Sequence, residues 1–211
     1  MPDIKLFYFP GACSLAPHIL LHETGVPFTT KAEGRPPFSE ELLALNPKAR
    51  VPVLKIDNDA ITENPAILTA ISTLEPEKNL TGVPGTLEAA RILQYMVWLC
   101  GTLHGTGFGM YIRPFRYVDN PAEHENVKQK ALDIIKDCYG RIEEGLGKSG
   151  GVYAFGERFT AVDPYLFVFW RWGVNILRLD MEGLYPKYAG LAKAVAKREA
   201  TVAALKAEGL E

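Results

Sequence analysis

Apolar and polar positions follow two rhythms along the 211 residues, and the change between them divides the chain. Ile4 to Phe9 is a short apolar, aromatic run of the kind that makes a strand, and Leu15, Ile19 and His22 then recur at helical spacing. Gly25 supplies a stop. Phe28 to Ala32 reads as a second strand and Ser39 to Leu45 as a short helix opened by a serine cap. Val53 to Ile56 and Ala60 to Thr62 form a hairpin around Asp57-Asn58-Asp59, and Pro65 opens a further helix. The order strand, helix, strand, helix, strand, strand, helix predicts a small mixed sheet with helices packed on it.

The polar stretch "EPEKNLTGVPG", Glu75 to Gly85, is rich in turn residues and reads as a linker. From Thr86 onward the pattern is helical. "LEAARILQYMVWLC" and "ENVKQKALDIIKDCYGRIEEGL" space apolar residues three and four apart, and "LAKAVAKREATVAALKAEGL" has the alanine and lysine content of a helix. Thr160-Ala161-Val162-Asp163 has capping-box spacing, with Asp in place of the usual Glu or Gln, and reads as a helix start. "GTGFG", Gly105 to Gly109, lacks the spacing and strand context of a dinucleotide site and reads as a helix break.

Composition narrows the function. With 47% hydrophobic and 23% charged residues the chain can build one or two cores, and a net charge of −2 argues against nucleic acid as a partner. No basic segment precedes a long apolar run, so a cytoplasmic protein with no membrane partner is expected. Cys13, Cys100 and Cys138 are odd in number and widely spaced, which fits neither a disulfide framework nor a metal site.

Cys13 is nevertheless at a chemically interesting place. Pro10 and Gly11 turn the chain between the first strand and the first helix, and a helix start lowers a thiol's pKa. A buried inert cysteine is the competing reading, as free cysteine is among the most buried residue types. Ser14 taken alone is a helix cap, Pro52 the first residue of a strand, and Glu63 and Asn64 a dipole partner and a cap for the helix at Pro65. The aromatic group Phe167, Phe169, Trp170 and Trp172 reads as core.

Taken together, "FYFPGACSLAPHILL", "NPKARVPVL", "TENPAI", "LHGTGFGMYIRP" and "FTAVDPYLF" occur in an order and at separations that resemble the cytosolic glutathione transferases, most closely their bacterial beta class. The resemblance implies an α/β thioredoxin-like N-terminal domain over residues 1–77 that binds glutathione, and an all-α C-terminal domain over residues 86–211 that supplies an electrophile pocket. It implies a homodimer, a detoxifying role, and glutathione as co-substrate with no metal. Tyr8, Cys13 and Ser14 match the family's strand-end positions, and Val51 and Pro52 match its cis-proline turn. Glu63 and Asn64 match the pair that holds the γ-glutamyl end, and His104 the histidine that approaches the glutathione sulfur. Phe108, Met110 and Tyr111 follow His104 closely and are the expected electrophile pocket.

Three departures accompany the likeness. The loop before Val51-Pro52 is short and lacks the family's lysine for the glycine carboxylate, leaving Arg35 or Lys31 as substitutes. Asn64 stands where serine or glycine is usual, and Gly105 where a lysine often follows the histidine. Three functions fit these residues: conjugation of the glutathione thiolate to an electrophile, glutathione-dependent thiol transfer or disulfide exchange through Cys13, and a non-catalytic binding module.

Overall fold

The computed structural model describes residues 2–211. A four-stranded sheet comes first in the chain: β1 (Ile4–Tyr8), β2 (Thr29–Ala32), β3 (Val53–Ile56) and β4 (Asp59–Thr62), in the order β2-β1-β3-β4. β1 and β2 run parallel, joined across α1 (Leu15–Thr24), while β3 pairs antiparallel with both β1 and β4. The sheet is therefore mixed, as the element order predicts, and each strand lies within a residue or so of its sequence-based bounds.

Alternation along β1 sorts its side chains. Ile4, Leu6 and Tyr8 face the main core with α1 and α3 (Asn64–Ser72). Phe7 faces the other way, into a small cluster with Val53 and Leu42 of α2 (Glu40–Leu45). Ser39 caps α2 by accepting the Leu42 N–H at 3.3 Å, as its sequence position suggests.

The rest of the chain is helical. α4 (Leu87–Trp98) runs into a π-helical segment, Leu99–Phe108, and then α5 (Gly109–Ile112). α6 (His124–Lys148), α7 (Val162–Asn175), α8 (Met181–Leu184), α9 (Pro186–Ala196) and α10 (Glu199–Glu208) follow. α7 is central and packs against both α1 and α9, and Phe167, Phe169, Trp170 and Trp172 are buried on it. Asp163 secures its start by accepting the Thr160 N–H at 2.6 Å and the Ala154 N–H at 2.8 Å. No helix of the described residues is long and apolar enough to cross a membrane.

One sequence-based expectation fails here. The glycines of Gly105 to Gly109 do not break the helix, which continues through them in π-helical form. Their role is proximity. A Cβ on Gly107 would lie 2.8 Å from Cγ1 of Ile135 on α6, inside contact distance, so glycine lets the two helices meet.

Candidate active site

A cavity of about 910 Å³ opens between the sheet and the helices, at the end of β1 and beside the π-helical segment. The Pro10–Cys13 turn forms one wall, Arg50, Val51 and Glu63 a second, and Cys100, His104, Phe108 and Ile112 a third. Of the sequence-derived candidates, Cys13, Val51, Glu63, His104 and Phe108 are thus brought together.

The turn is tightly specified. Gly11 has φ +72°, which glycine adopts without strain, and its peptide is held on both sides. Its N–H donates to Oε2 of Glu208 at 2.8 Å, and its carbonyl accepts from Nε1 of Trp172 at 2.9 Å. Glu208 is buried, and its Oε1 lies 2.9 Å from Nδ1 of the equally buried His18 on α1.

Cys13 sits just past this turn with its thiol donating to the Val51 carbonyl at 3.6 Å. Asn64 is buried at the start of α3 and donates from Nδ2 to the Cys13 carbonyl at 3.1 Å, so it supports the turn instead of lining the cavity. The Val51–Pro52 peptide is cis, and the Val51 N–H has no partner among the described residues. β3 starts only at Val53, which leaves the Val51 N–H open for pairing while its carbonyl accepts from the Cys13 thiol.

Electrostatics correct the reading of Cys13. Burial, not the helix start, dominates: the thiol is 7% exposed and pushed up to about 12, with Cys100 nearby adding to the effect. Cys13 is a protonated donor at neutral pH. His104 is half-buried among aromatic rings, with Trp172 at 5.2 Å and Phe169 at 5.9 Å between centroids. Desolvation, followed by the charges of Arg113 and Arg50, holds its imidazole down at about 4, so it is neutral. Its Nδ1 lies 3.3 Å from the Tyr165 hydroxyl.

Glu63 lies where β4 meets α3, in the left-handed region at φ +69°, with its carboxylate 2.6 Å from Nζ of Lys48. A glutamate held at positive φ is strained by about 1 kcal/mol or more, and such positions concentrate at binding sites.

Several candidates are placed elsewhere. The Tyr8 hydroxyl points to the Ala207 carbonyl, 3.3 Å away, and Ser14 is fully buried with its hydroxyl exchanging bonds with the Phe9 backbone at 3.1 and 3.2 Å. Both are structural. Met110 and Tyr111 lie off the cavity because the π-helical segment and α5 turn His104, Phe108 and Ile112 toward it, four residues apart. Lys31 is committed to Glu41 at 2.8 Å, and Arg35 is exposed and is not among the residues that line the cavity, although its neighbour Pro36 is.

The structure adds residues that the sequence did not single out. Arg50, Arg113 and Arg116 line the cavity, as do Cys100 and Trp172. Cys100 stands four residues before His104, a helical spacing that signals a shared face. Trp172 was read only as core, and nothing in its local sequence reveals the bond to Gly11.

Comparisons with known proteins agree with this geometry. A family model described as the glutathione S-transferase N-terminal domain matches residues 11–74. The chain is 33% identical over 213 residues to glutathione S-transferase GstA of Escherichia coli O157:H7, covering 99% of this chain and 100% of that protein. A sphingomonad glutathione S-transferase solved with glutathione is 34% identical with a TM-score of 0.84, over 98% of this chain and 100% of the other. The bacterial beta class enzyme of Sphingomonas chungbukensis is 33% identical with a TM-score of 0.85, over the same shares. Because these matches run the length of both partners and carry the thioredoxin-like and all-helical parts together, the chain belongs to the glutathione S-transferase family, is an enzyme of that kind, and resembles its bacterial beta class.

Proposed function

We propose that the enzyme binds glutathione in the cavity with the cysteinyl backbone paired to the open main chain at Val51, and conjugates its thiolate to an electrophilic carbon. The observation that carries this reading is that the Val51 N–H, unpaired among the described residues, and two proton-bearing side chains, the Cys13 thiol and the neutral His104, face the cavity from three of its walls. Strand-like pairing of an extended peptide to an open edge is a common recognition mode. Glu63 receives the γ-glutamyl ammonium and Arg50, beside Val51, the glycine carboxylate.

The chemistry follows from the protonation states. The Tyr165 phenol is held well above its usual range by burial and keeps its proton. Donating that proton to Nδ1 of His104 leaves the imidazole proton on Nε2, free to donate to sulfur. The Cys13 thiol becomes the second donor by turning its single S–H from the Val51 carbonyl, 3.6 Å away, to the sulfur. Lowering the glutathione thiol pKa by about two units requires about 2.7 kcal/mol, which two hydrogen bonds to a charged sulfur supply. The thiol's proton passes to solvent water as the thiolate forms; the thiolate then attacks the electrophilic carbon, a carbon–sulfur bond forms, and the leaving group departs with the bonding pair.

Conjugation is favoured over thiol transfer, because a thiol at about 12 supplies almost no thiolate at neutral pH for disulfide exchange. The same reading takes residues 1–77 as the glutathione-binding domain and 86–211 as the source of the electrophile pocket. It makes the enzyme a cytoplasmic homodimer with a detoxifying role. The exposed Leu87, Leu93 and Val97 on α4 supply an apolar surface for a second copy.

Calorimetric titration with glutathione and turnover of 1-chloro-2,4-dinitrobenzene test the proposal. Glutathione heat with conjugation that falls by several fold in Cys13→Ala supports it. Conjugation abolished in Cys13→Ala, with a glutathione adduct on wild-type Cys13, points to thiol transfer instead. A sedimentation mass of one chain removes the dimer.

A further inference from the structure

The charge on the cavity wall does not balance against glutathione alone. Arg50, Arg113 and Arg116 all line it, and the one carboxylate among the lining residues, Glu63, already has its counterion in Lys48 at 2.6 Å. Glutathione as the thiolate carries two carboxylates, one sulfur anion and one ammonium, a net charge of about −2 at neutral pH. One positive charge is left over.

Its place is on the electrophile side. Arg50 adjoins Val51, where the glutathione backbone is expected, whereas Arg113 and Arg116 follow Ile112 at the end of α5 and in the next turn of chain, Pro114–Arg116. The apolar side chains of Phe108, Ile112, Trp172 and Ile176 line the cavity too, with the Phe108 and Trp172 rings 4.9 Å apart between centroids. Arg113 is partly buried and has no ion-pair partner among the described residues. Burial, with Arg116 and Arg50 adding repulsion, holds its guanidinium below the usual arginine range. An uncompensated guanidinium out of water is costly, and an anion that arrives with the substrate relieves that cost.

We propose that the electrophile this cavity prefers carries a carboxylate, held by the planar fork of Arg113 with Arg116 beside it, while its reactive carbon lies against the apolar wall. The proposal rests on the transferase reading and names the substrate class of the same site. Arginine is suited to this task because its donors match a carboxylate's two oxygens.

Two electrophiles that differ in a single substituent test it: 4-chloro-3,5-dinitrobenzoate and the neutral 4-chloro-3,5-dinitrobenzotrifluoride. For each, kcat/KM is divided by the uncatalysed rate constant with glutathione in the same buffer. The expected enhancement is about tenfold or more greater for the carboxylate, as a charge-assisted contact implies. Arg113→Gln collapses that preference to within about threefold, Arg113→Lys restores part of it, and Arg116→Gln, at an exposed position, lowers it by a smaller factor.

Equal enhancement of the two electrophiles by the wild-type enzyme overturns the proposal and leaves the transferase reading intact. So does an Arg113→Gln variant that keeps the preference but raises KM for glutathione, since the guanidinium then serves the tripeptide. Conjugation of neither, with no glutathione heat, overturns both.

Discussion

Glu208 of α10 and Gly11 of the turn before Cys13 are joined by a 2.8 Å hydrogen bond across 197 residues of sequence. The same carboxylate meets His18, so one buried side chain ties the last helix to the first helix and to the cavity wall. Glu208→Ala leaves the Gly11 N–H and the His18 ring without their partner in the interior. The expected loss is about 3 kcal/mol, read as a lower midpoint in urea unfolding. Glu208→Gln keeps one acceptor and loses less. Equal midpoints for wild type and Glu208→Ala would show that water replaces the carboxylate there.

Cys13 is expected to alkylate slowly. Burial raises its pKa, so the thiolate is scarce at neutral pH and its population grows only as pH climbs toward about 12. Relative to an ordinary thiol with a pKa near 8.5, the thiolate fraction at pH 7.5 is lower by about three-thousandfold. Peptide mass spectrometry after iodoacetamide treatment measures this directly. Rapid labelling of Cys13 at pH 7 contradicts it.

In the proposed mechanism His104 supplies a proton donor instead of a base, and the pH profile distinguishes these roles. Its pKa is lowered to about 4, so it stays neutral from pH 5.5 upward and contributes no limb of its own. Log kcat/KM for the electrophile, taken at saturating glutathione between pH 5.5 and 9, shows one ionisation, that of bound glutathione. Loss of the donor in His104→Ala moves that ionisation up by about one unit. A wild-type inflection near pH 6.5 that vanishes in the variant is the contrary outcome.

Gly107 and Ile135 form a tight pair, and they are expected to couple. Gly107→Ala drives a methyl into Cγ1 of Ile135, 2.8 Å from the ideal Cβ, and costs about 1–3 kcal/mol. Ile135→Ala alone opens a cavity worth about 2–5 kcal/mol. The double variant loses less than the two single losses combined, because each change makes room for the other. Additive losses measured by urea unfolding remove the steric explanation.

These residues also show what a linear reading reaches. Strand and helix bounds in the first 75 residues were legible because alternation, Gly25, Ser39 and Pro65 are local signals, and each acts within a turn of its own position. The main-chain side of the site was legible for the same reason, through Cys13, Val51 and Glu63. The glycines of Gly105 to Gly109 misled because propensity favours a break, while the packing of α6 demands closeness. The Cys13 thiol misled because the helix start is local but desolvation comes from everything folded over it. Tyr8 and Ser14 lost their expected roles to partners on α10 and at Phe9. Arg113 required the third dimension, since only the cavity shows that its charge is unanswered.

The bracing of the Pro10–Cys13 turn also sets an order of assembly. β1 and α1 emerge from synthesis early and have their strand partners and α3 within the first 72 residues. The turn between them has neither Trp172 nor Glu208 until the ribosome has moved another hundred residues and more along the message. A nascent chain can therefore build its sheet early, but the cavity wall at Gly11 gains its two braces only after α7 and α10 have been made.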